Sequence, residues 1–282
     1  MRSLHPRLPC TRETRRSFLS SSNTSQSTAR HTRVSRRTQN TKRPGCRTTM
    51  STSATCVPRA AICDRPSAAS SYVPPFFAHL LTQDTLQWRR EFKPEIIPPD
   101  EVAPEATTGK HVLNGFDRQG RPILYLRPGR ENTKTSPRQI RYLVWSLERG
   151  INLMPPGQET LTIIVDFHGA SLSTTPSLST ARHVAHILQN HYVERLGRAF
   201  VCHTPKFITA FFTALSPFLD PVTKDKIRFN HPDMTEFIRP DQLDDQFPGG
   251  TYPYEFDFNV YWPALVKACG IQPDGTRVVP HS

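Results

Sequence analysis

The spacing of hydrophobic positions changes several times after residue 80, and each change marks an element. HVLNGF (111–116) and PILYL (122–126) flank DRQG, whose Asp, Gln and Gly suit a turn, so residues 111–126 read as a hairpin. Ser136 and Pro137 then open a helix as N-cap and first helical residue. Its apolar stripe, Ile140, Val144, Leu147, Ile151 and Met154, recurs at spacings of 4, 3, 4 and 3 and ends before Pro155. Leu161 to Val165 is a continuous run of β-branched character, which predicts a strand buried on both faces. Pro176 to Tyr192 reads as a helix with Leu178, Ala181, Val184, Ala185 and Leu188 on one face. Arg198 to His203 and Ile227 to Asn230 supply further strands. Between them, Lys206 to Leu219 is unusually greasy, with Phe207, Ile208, Phe211, Phe212, Leu215, Phe218 and Leu219 on one broad helical face. Strands alternating with helices predict an α/β domain with a largely parallel or mixed sheet.

The flanks are less regular. TQDTLQWRREF (82–92) reads as a short helix stopped by Pro94, and EIIPPDEVAPE as a Pro-rich connector. After Asp241 come a Gly-Gly turn and a short helix near Val260 to Ala268, and the tail from Ile271 is expected to be loose. The domain reading is a leader over 1–70, a helical remnant and linker over 82–98, a folded domain over 99–270 and a tail over 271–282.

Charge changes the picture only once it is located. The net charge is +12, but residues 1–70 hold 14 Lys or Arg against Glu13 and Asp64, which leaves 22 of each sign in the rest. The folded part is therefore not a basic nucleic-acid binder. The leader is rich in Arg, Ser and Thr and nearly empty of large apolar residues, a composition that predicts disorder. It shares the bias of a mitochondrial transit peptide, but Pro6, Pro9, Pro44 and the missing amphipathic period argue against one. An RNA-binding arm would call for Arg-Gly repeats or interleaved aromatics, which are absent. The favoured reading is a non-functional or mispredicted start. Cys10, Cys46, Cys56 and Cys63 lie in the leader, with Cys202 and Cys269 beyond. No pair has C-x-x-C spacing, and Cys202, in an apolar strand, reads as a buried free thiol. No run of 18 apolar residues spans a membrane and no secretory h-region opens the chain, so the expected setting is intracellular.

Templates for catalysis fail one by one. Asp166, His168 and Ser171 tempt toward a hydrolytic triad, but no G-x-S-x-G elbow is present and strand alternation explains the first two. There is no G-x-x-x-x-G-K-[ST] loop. His183 and His186 are three apart on a helix near His191, without Cys or carboxylate at ligand spacing. The expectation is a protein that is not an enzyme and has no metal or redox cofactor.

IIVDFHGAS, QNHYVERLGRAFV and PFLDPVTKDKI, in that order and at that spacing, resemble the CRAL-TRIO lipid-binding domains in their phosphatidylinositol-transfer branch. The likeness runs from about Leu86 to Gly270. It implies a sheet floor covered by helices around an apolar lipid pocket. LQWRREFKPEII (86–97) resembles the last helix of the small helical module that precedes such domains. The earlier helices of that module have no counterpart in residues 1–70, so the chain is expected to begin aberrantly and the Trp88 helix to lack packing partners on its exposed side.

The resemblance also implies roles, each beside a plainer one. The helix over 206–219 is a gate over the pocket in the family, with Phe207, Phe211, Phe212 and Leu215 as lipid contacts; an ordinary core helix would show the same stripe. Ser171 and Ser173 stand where short hydroxyl residues contact lipid phosphate, but Ser also makes such turns unaided. Tyr125 and Tyr142 are candidates for lining the pocket and equally for core packing. Family members that bind phosphoinositide often place a Lys just before the closing Gly-Gly. Gln246 holds that position here, with Arg239 seven residues upstream as the candidate substitute. The implied ligand is phosphatidylinositol, with phosphatidylcholine or a sterol competing. The implied protein is a monomer that meets membranes peripherally from the cytoplasm. Two alternatives remain, a lipid-sensing module that presents its lipid to an enzyme and a nucleic-acid binder acting through the leader.

Overall fold

The computed structural model describes the backbone of residues 75–278 and the side chains of residues 83–278. The leader expectations, with Cys10, Cys46, Cys56 and Cys63, lie outside the described residues.

Seven helices and five strands are described: α1 (Pro75–Phe92), α2 (Pro99–Ala106), β1 (His111–Phe116), β2 (Pro122–Leu126), α3 (Pro137–Asn152), β3 (Leu161–Asp166), α4 (Leu178–His191), β4 (Leu196–Cys202), α5 (Lys206–Leu215), α6 (Pro221–Lys226), β5 (Ile227–Phe229) and α7 (Phe258–Ala268). The sheet runs β1-β2-β3-β4-β5, antiparallel in the first pair and parallel thereafter. The alternating pattern thus gives the mixed α/β sheet it predicts. Ser136 precedes α3 in extended conformation with Pro137 behind it, but its side chain makes no capping hydrogen bond.

Register separates the two faces of the sheet. Tyr125 pairs with Ile164, and Ile164 with Phe200, so these three share one face, closed by the 231–254 segment through Phe237 and Phe247. Val165 and Val201 lie on the other face, where they meet Ile208 of α5. α3 and α7 cover the β1 side of that second face, with Trp145 stacked on Trp262 at 4.5 Å and Tyr142 on His111 at 4.5 Å.

Three expectations need correction. The Pro-rich connector is a 3-10 turn (Pro94–Ile96) followed by α2. Pro99 takes the first helical position, where its missing N–H costs nothing, and Asp100 and Glu101 complement the positive helix start. β3 is not buried on both faces: Ile163 and Val165, on the α5 side, are only half-buried. The tail is not loose over 271–278. Ile271 is buried and bridges Arg277, while Val278 N–H donates to the Gly270 carbonyl. On α1, Trp88 stacks on His191 at 4.3 Å and Phe92 at 4.8 Å, while Leu86 is exposed.

Candidate functional site

The greasy helix is shorter than its apolar pattern. α5 ends at Leu215 and passes into a 3-10 turn over Ser216–Phe218, where Pro217 offers no N–H to extend the α ladder. Ile208 and Leu215 are buried, whereas Phe207, Phe211 and Phe212 are half-buried. Ile208 packs against Phe167 and Val201 in a small cluster separate from the main core. Phe212 meets Phe167, Phe211 and Phe229 edge-on, at 6.3, 5.9 and 5.1 Å between ring centres.

Beside this helix lies a groove of about 420 Å³, walled by Phe212, Leu219, Ile227 and Phe229 and edged by Lys224 and Asn230. Phe218, Val222 and Phe229 are exposed around it, an apolar surface that water disfavours. α4 holds the chain that leaves α5. Gln189 donates to the Phe218 carbonyl at 2.7 Å and accepts from Asp220 N–H at 2.9 Å, and the Arg182 guanidinium sits 4.1 Å from the Phe218 ring centre.

Ser171 and Ser173 are exposed on the turn after β3. Their hydroxyls lie 2.8 Å apart, and the Ser171 carbonyl accepts from Thr175 Oγ1 at 2.8 Å. Local turn bonding accounts for all of this, and it leaves a hydroxyl-rich corner open to solvent. Arg239 is half-exposed and pairs with Asp241 at 3.2 Å. Gln246 is exposed, with its backbone N–H on Asp244 Oδ1 at 3.0 Å.

Neither tyrosine is among the residues that line the groove beside α5. Tyr125 is buried on the opposite face of the sheet, against Phe247 and beneath Arg127. Tyr142 is buried among His111, Trp145 and Trp262 and donates to the His111 carbonyl at 3.2 Å. Burial pushes both hydroxyls well above the ordinary tyrosine range. Both are core residues.

Sequence reasoning missed a charged cluster on the Tyr125 face. Arg127, Asp166 and His203 follow or end β2, β3 and β4, the carboxyl ends of parallel strands where α/β sheets often carry polar sites. The 127–130 turn abuts the turn after β3 so closely that a Cβ on Gly129 would lie 2.2 Å from the His168 carbonyl oxygen. Arg127 Nη2 donates to Asp244 Oδ2 at 2.7 Å and its Nε lies 4.0 Å from Asp166 Oδ2. His203 Nδ1 lies 2.8 Å from Asp166 Oδ1, which also accepts from His168 N–H at 2.9 Å. Cys202 is a buried free thiol, as expected; burial, aided by Asp166, pushes it up to about 12.

A mixed sheet with a loosely seated Phe-rich helix on one face defines a class of lipid-pocket domains, and comparison with known proteins agrees. Residues 106–249 match the CRAL/TRIO domain, and the chain belongs to that family. It is 50% identical over 186 residues to a CRAL-TRIO domain-containing protein of Schizosaccharomyces pombe, which covers 66% of this chain and 18% of that protein. It is 38% identical over 195 residues to the phosphatidylinositol transfer protein PDR17 of Saccharomyces cerevisiae, covering 65% of this chain and 55% of the relative. With the SEC14 cytosolic factor of Candida glabrata it shares 31% identity over 160 residues, 50% of this chain and 53% of the relative. The chain thus spans about a fifth of the first relative and about half of the other two. Among solved structures, that of Sfh5 has the same fold, with a TM-score of 0.54 at 20% identity over 66% of this chain and 71% of that one.

Proposed function

We propose that the chain binds one amphiphilic lipid beneath α5 and exchanges it between membranes. Phosphatidylinositol is the favoured ligand, with phosphatidylcholine or a sterol competing. The observation that carries this reading is the mismatch between α5 and its seat: Phe207, Phe211 and Phe212 are only half-buried while Ile163 and Val165 beneath remain partly open. An apolar cover and an apolar floor that do not fully satisfy each other leave room for an apolar guest. The groove is at the small end of the range for ligand pockets, roughly 300–1,000 Å³, so a two-chain lipid requires α5 to move outward. Each acyl methylene then buried contributes ~0.8 kcal/mol to the loaded state. Ser171 and Ser173 would take the phosphate, and the exposed Phe218, Val222 and Phe229 would meet the bilayer while the helix is open. Among the described residues no helix is long and apolar enough to cross a membrane, and the proposed contact is peripheral, by a monomer, from the cytoplasm. The names of the phosphatidylinositol transfer relatives support the ligand class.

The test is mass spectrometry of the intact purified protein and of its extracted lipid, with reloading from vesicles. A stoichiometric phospholipid or sterol is expected. A protein that carries none and takes up none would refute the reading.

A further inference from the structure

We propose that the cluster of Arg127, Arg130 and the strand ends beside Asp166 and His203 is a second ligand site, specific for a phosphate-class oxyanion and separate from the groove beside α5. The separation follows from register. Tyr125, Asp166 and Cys202 share the face away from α5, and none of Arg127, Arg130, Asp166 and His203 lines the groove beside Phe212.

The chemistry follows from which atoms are occupied. Both carboxylates are engaged: Asp166 by His203 and the His168 N–H, Asp244 by Arg127 Nη2 and the Gln246 N–H. The unfilled groups are donors. Arg127 is 3% exposed, yet its Nε and Nη1 have no hydrogen-bond partner. Arg130 is half-buried, close enough to feel Arg127, Asp166 and Asp244 electrostatically, and its guanidinium takes part in no hydrogen bond or ion pair among the described residues. Burial, with the like charge of Arg127 nearby, pulls Arg130 below its ordinary range. Formal charges of Arg127, Arg130, Asp166 and Asp244 cancel, so the site is not held open by surplus charge. What it lacks is acceptors.

A tetrahedral oxyanion supplies several acceptors in the planar, paired geometry that guanidinium recognises, and it relieves the Arg–Arg repulsion. His203 and His168, both exposed with ring centres 5.6 Å apart, stand at the mouth as further donors when protonated. The same group is offered by a soluble phosphate or by the phosphorylated headgroup of a membrane lipid.

Calorimetry with inorganic phosphate and flotation with phosphatidylcholine vesicles, with and without a phosphorylated phosphatidylinositol, separate the two sources. Arg130→Gln is the main variant, because a half-buried side chain without partners can change without unfolding the chain. Its effect should be a loss of affinity of about tenfold to a hundredfold, as for one hydrogen bond to a charged group. Arg130→Lys should recover only part, and Arg90→Gln, an exposed charge on α1, should change nothing. Phosphate binding that depends on Arg130 assigns the site to a soluble ligand; vesicle binding that depends on Arg130, without phosphate binding, assigns it to a headgroup. Absence of both, or equal losses in Arg130→Gln and Arg90→Gln, overturns the proposal. Lipid carried in the pocket is measured in the same Arg130→Gln protein and should be unchanged, so failure here leaves the lipid reading standing or falling on its own test.

Discussion

Replacing Phe211 and Phe212 together by Ser separates a cover that opens from a helix that is merely core. Neither ring is fully buried, and Phe212 meets Phe167, Phe211 and Phe229 edge-on at 5.1–6.3 Å while packing against the Phe167–Val201–Ile208 cluster. Full burial of such a side chain is worth about 1.5–3 kcal/mol, so two half-buried rings amount to roughly 2 kcal/mol of folding stability. That is a sizeable loss, but less than a domain's usual margin of about 5–15 kcal/mol. Ile208→Ala supplies the contrast. Ile208 is fully buried between Phe167 and Val201, and its truncation should cost about 2–5 kcal/mol. Urea unfolding gives the stabilities, and transfer of a labelled lipid between vesicles gives the activity. The double Ser variant should stay folded with transfer reduced at least about tenfold, the equivalent of 1.4 kcal/mol in membrane contact. Ile208→Ala should lose stability first, with transfer falling only in step with the folded fraction. The reasoning is refuted if the double variant unfolds outright while its remaining folded fraction transfers normally.

Other consequences follow from particular contacts. Ser171→Ala with Ser173→Ala should weaken phospholipid loading and spare a sterol, since only the phosphate needs the hydroxyls; each lost bond to a charged group costs about 1.5–3 kcal/mol, and equal loss of both ligands in a loading assay would mean turn damage instead. Glu105 is buried; burial opposes its charge, yet bonds from Lys110, Thr133 and Arg138 hold its carboxyl below the ordinary 4.5. A lowered folded value means stability that is present above the unfolded value and lost as pH falls through the folded one. Thermal melts should therefore drop below about pH 4.5, and Glu105→Gln, which starts less stable, should show a shallower drop. Gly275 has φ +86, and a Cβ there would lie 2.3 Å from the Ile96 carbonyl oxygen. Gly275→Ala should lower the melting temperature by several degrees, as for a loss of about 1 kcal/mol in a mid-sized domain, whereas a loose tail would show no change.

What the sequence disclosed was what depends on local period. α3 was legible because five apolar residues repeat at helical spacing behind Ser136 and Pro137, and the hairpin because two runs flank Asp117–Gly120. α2 was hidden because Pro99 and Pro104 read as breakers, although a proline at the first helical position is favourable. The end of α5 was placed four residues late because Phe218 and Leu219 continue the apolar stripe through the 3-10 turn. The tail was misjudged because its anchors are non-local: Gly275 sits on Ile96, nearly the whole described chain away. Alternation in β2 sends Tyr125 and its neighbours to opposite faces, but it does not say which face receives α5. The Arg127–Asp244 pair joins positions 117 residues apart, and no spacing rule brings such partners together.

The packing also bears on how α5 could leave without unfolding the rest. The main core joins α2, α3, α7 and the 234–254 segment to the sheet through Trp145, Trp262, Tyr261, Phe200 and Phe247. α5 is not part of it. The helix is seated through Ile208 on the separate Phe167–Val201 cluster, and its two ends are held by polar contacts, Thr204 on Asn230 Oδ1 at 3.1 Å and Gln189 on the Phe218 carbonyl. Hydrogen bonds of this kind are worth about 0.5–1.5 kcal/mol each and can be exchanged for water, whereas the buried aromatic cluster cannot. Local opening of α5 therefore carries a lower free-energy cost than global unfolding, since it leaves the main core intact. Part of that cost is the exposure of Phe167, Val201 and Ile208 to water, which keeps the helix shut in solution. On the proposed reading the same side chains would meet acyl chains at a bilayer surface, and that part of the cost would disappear.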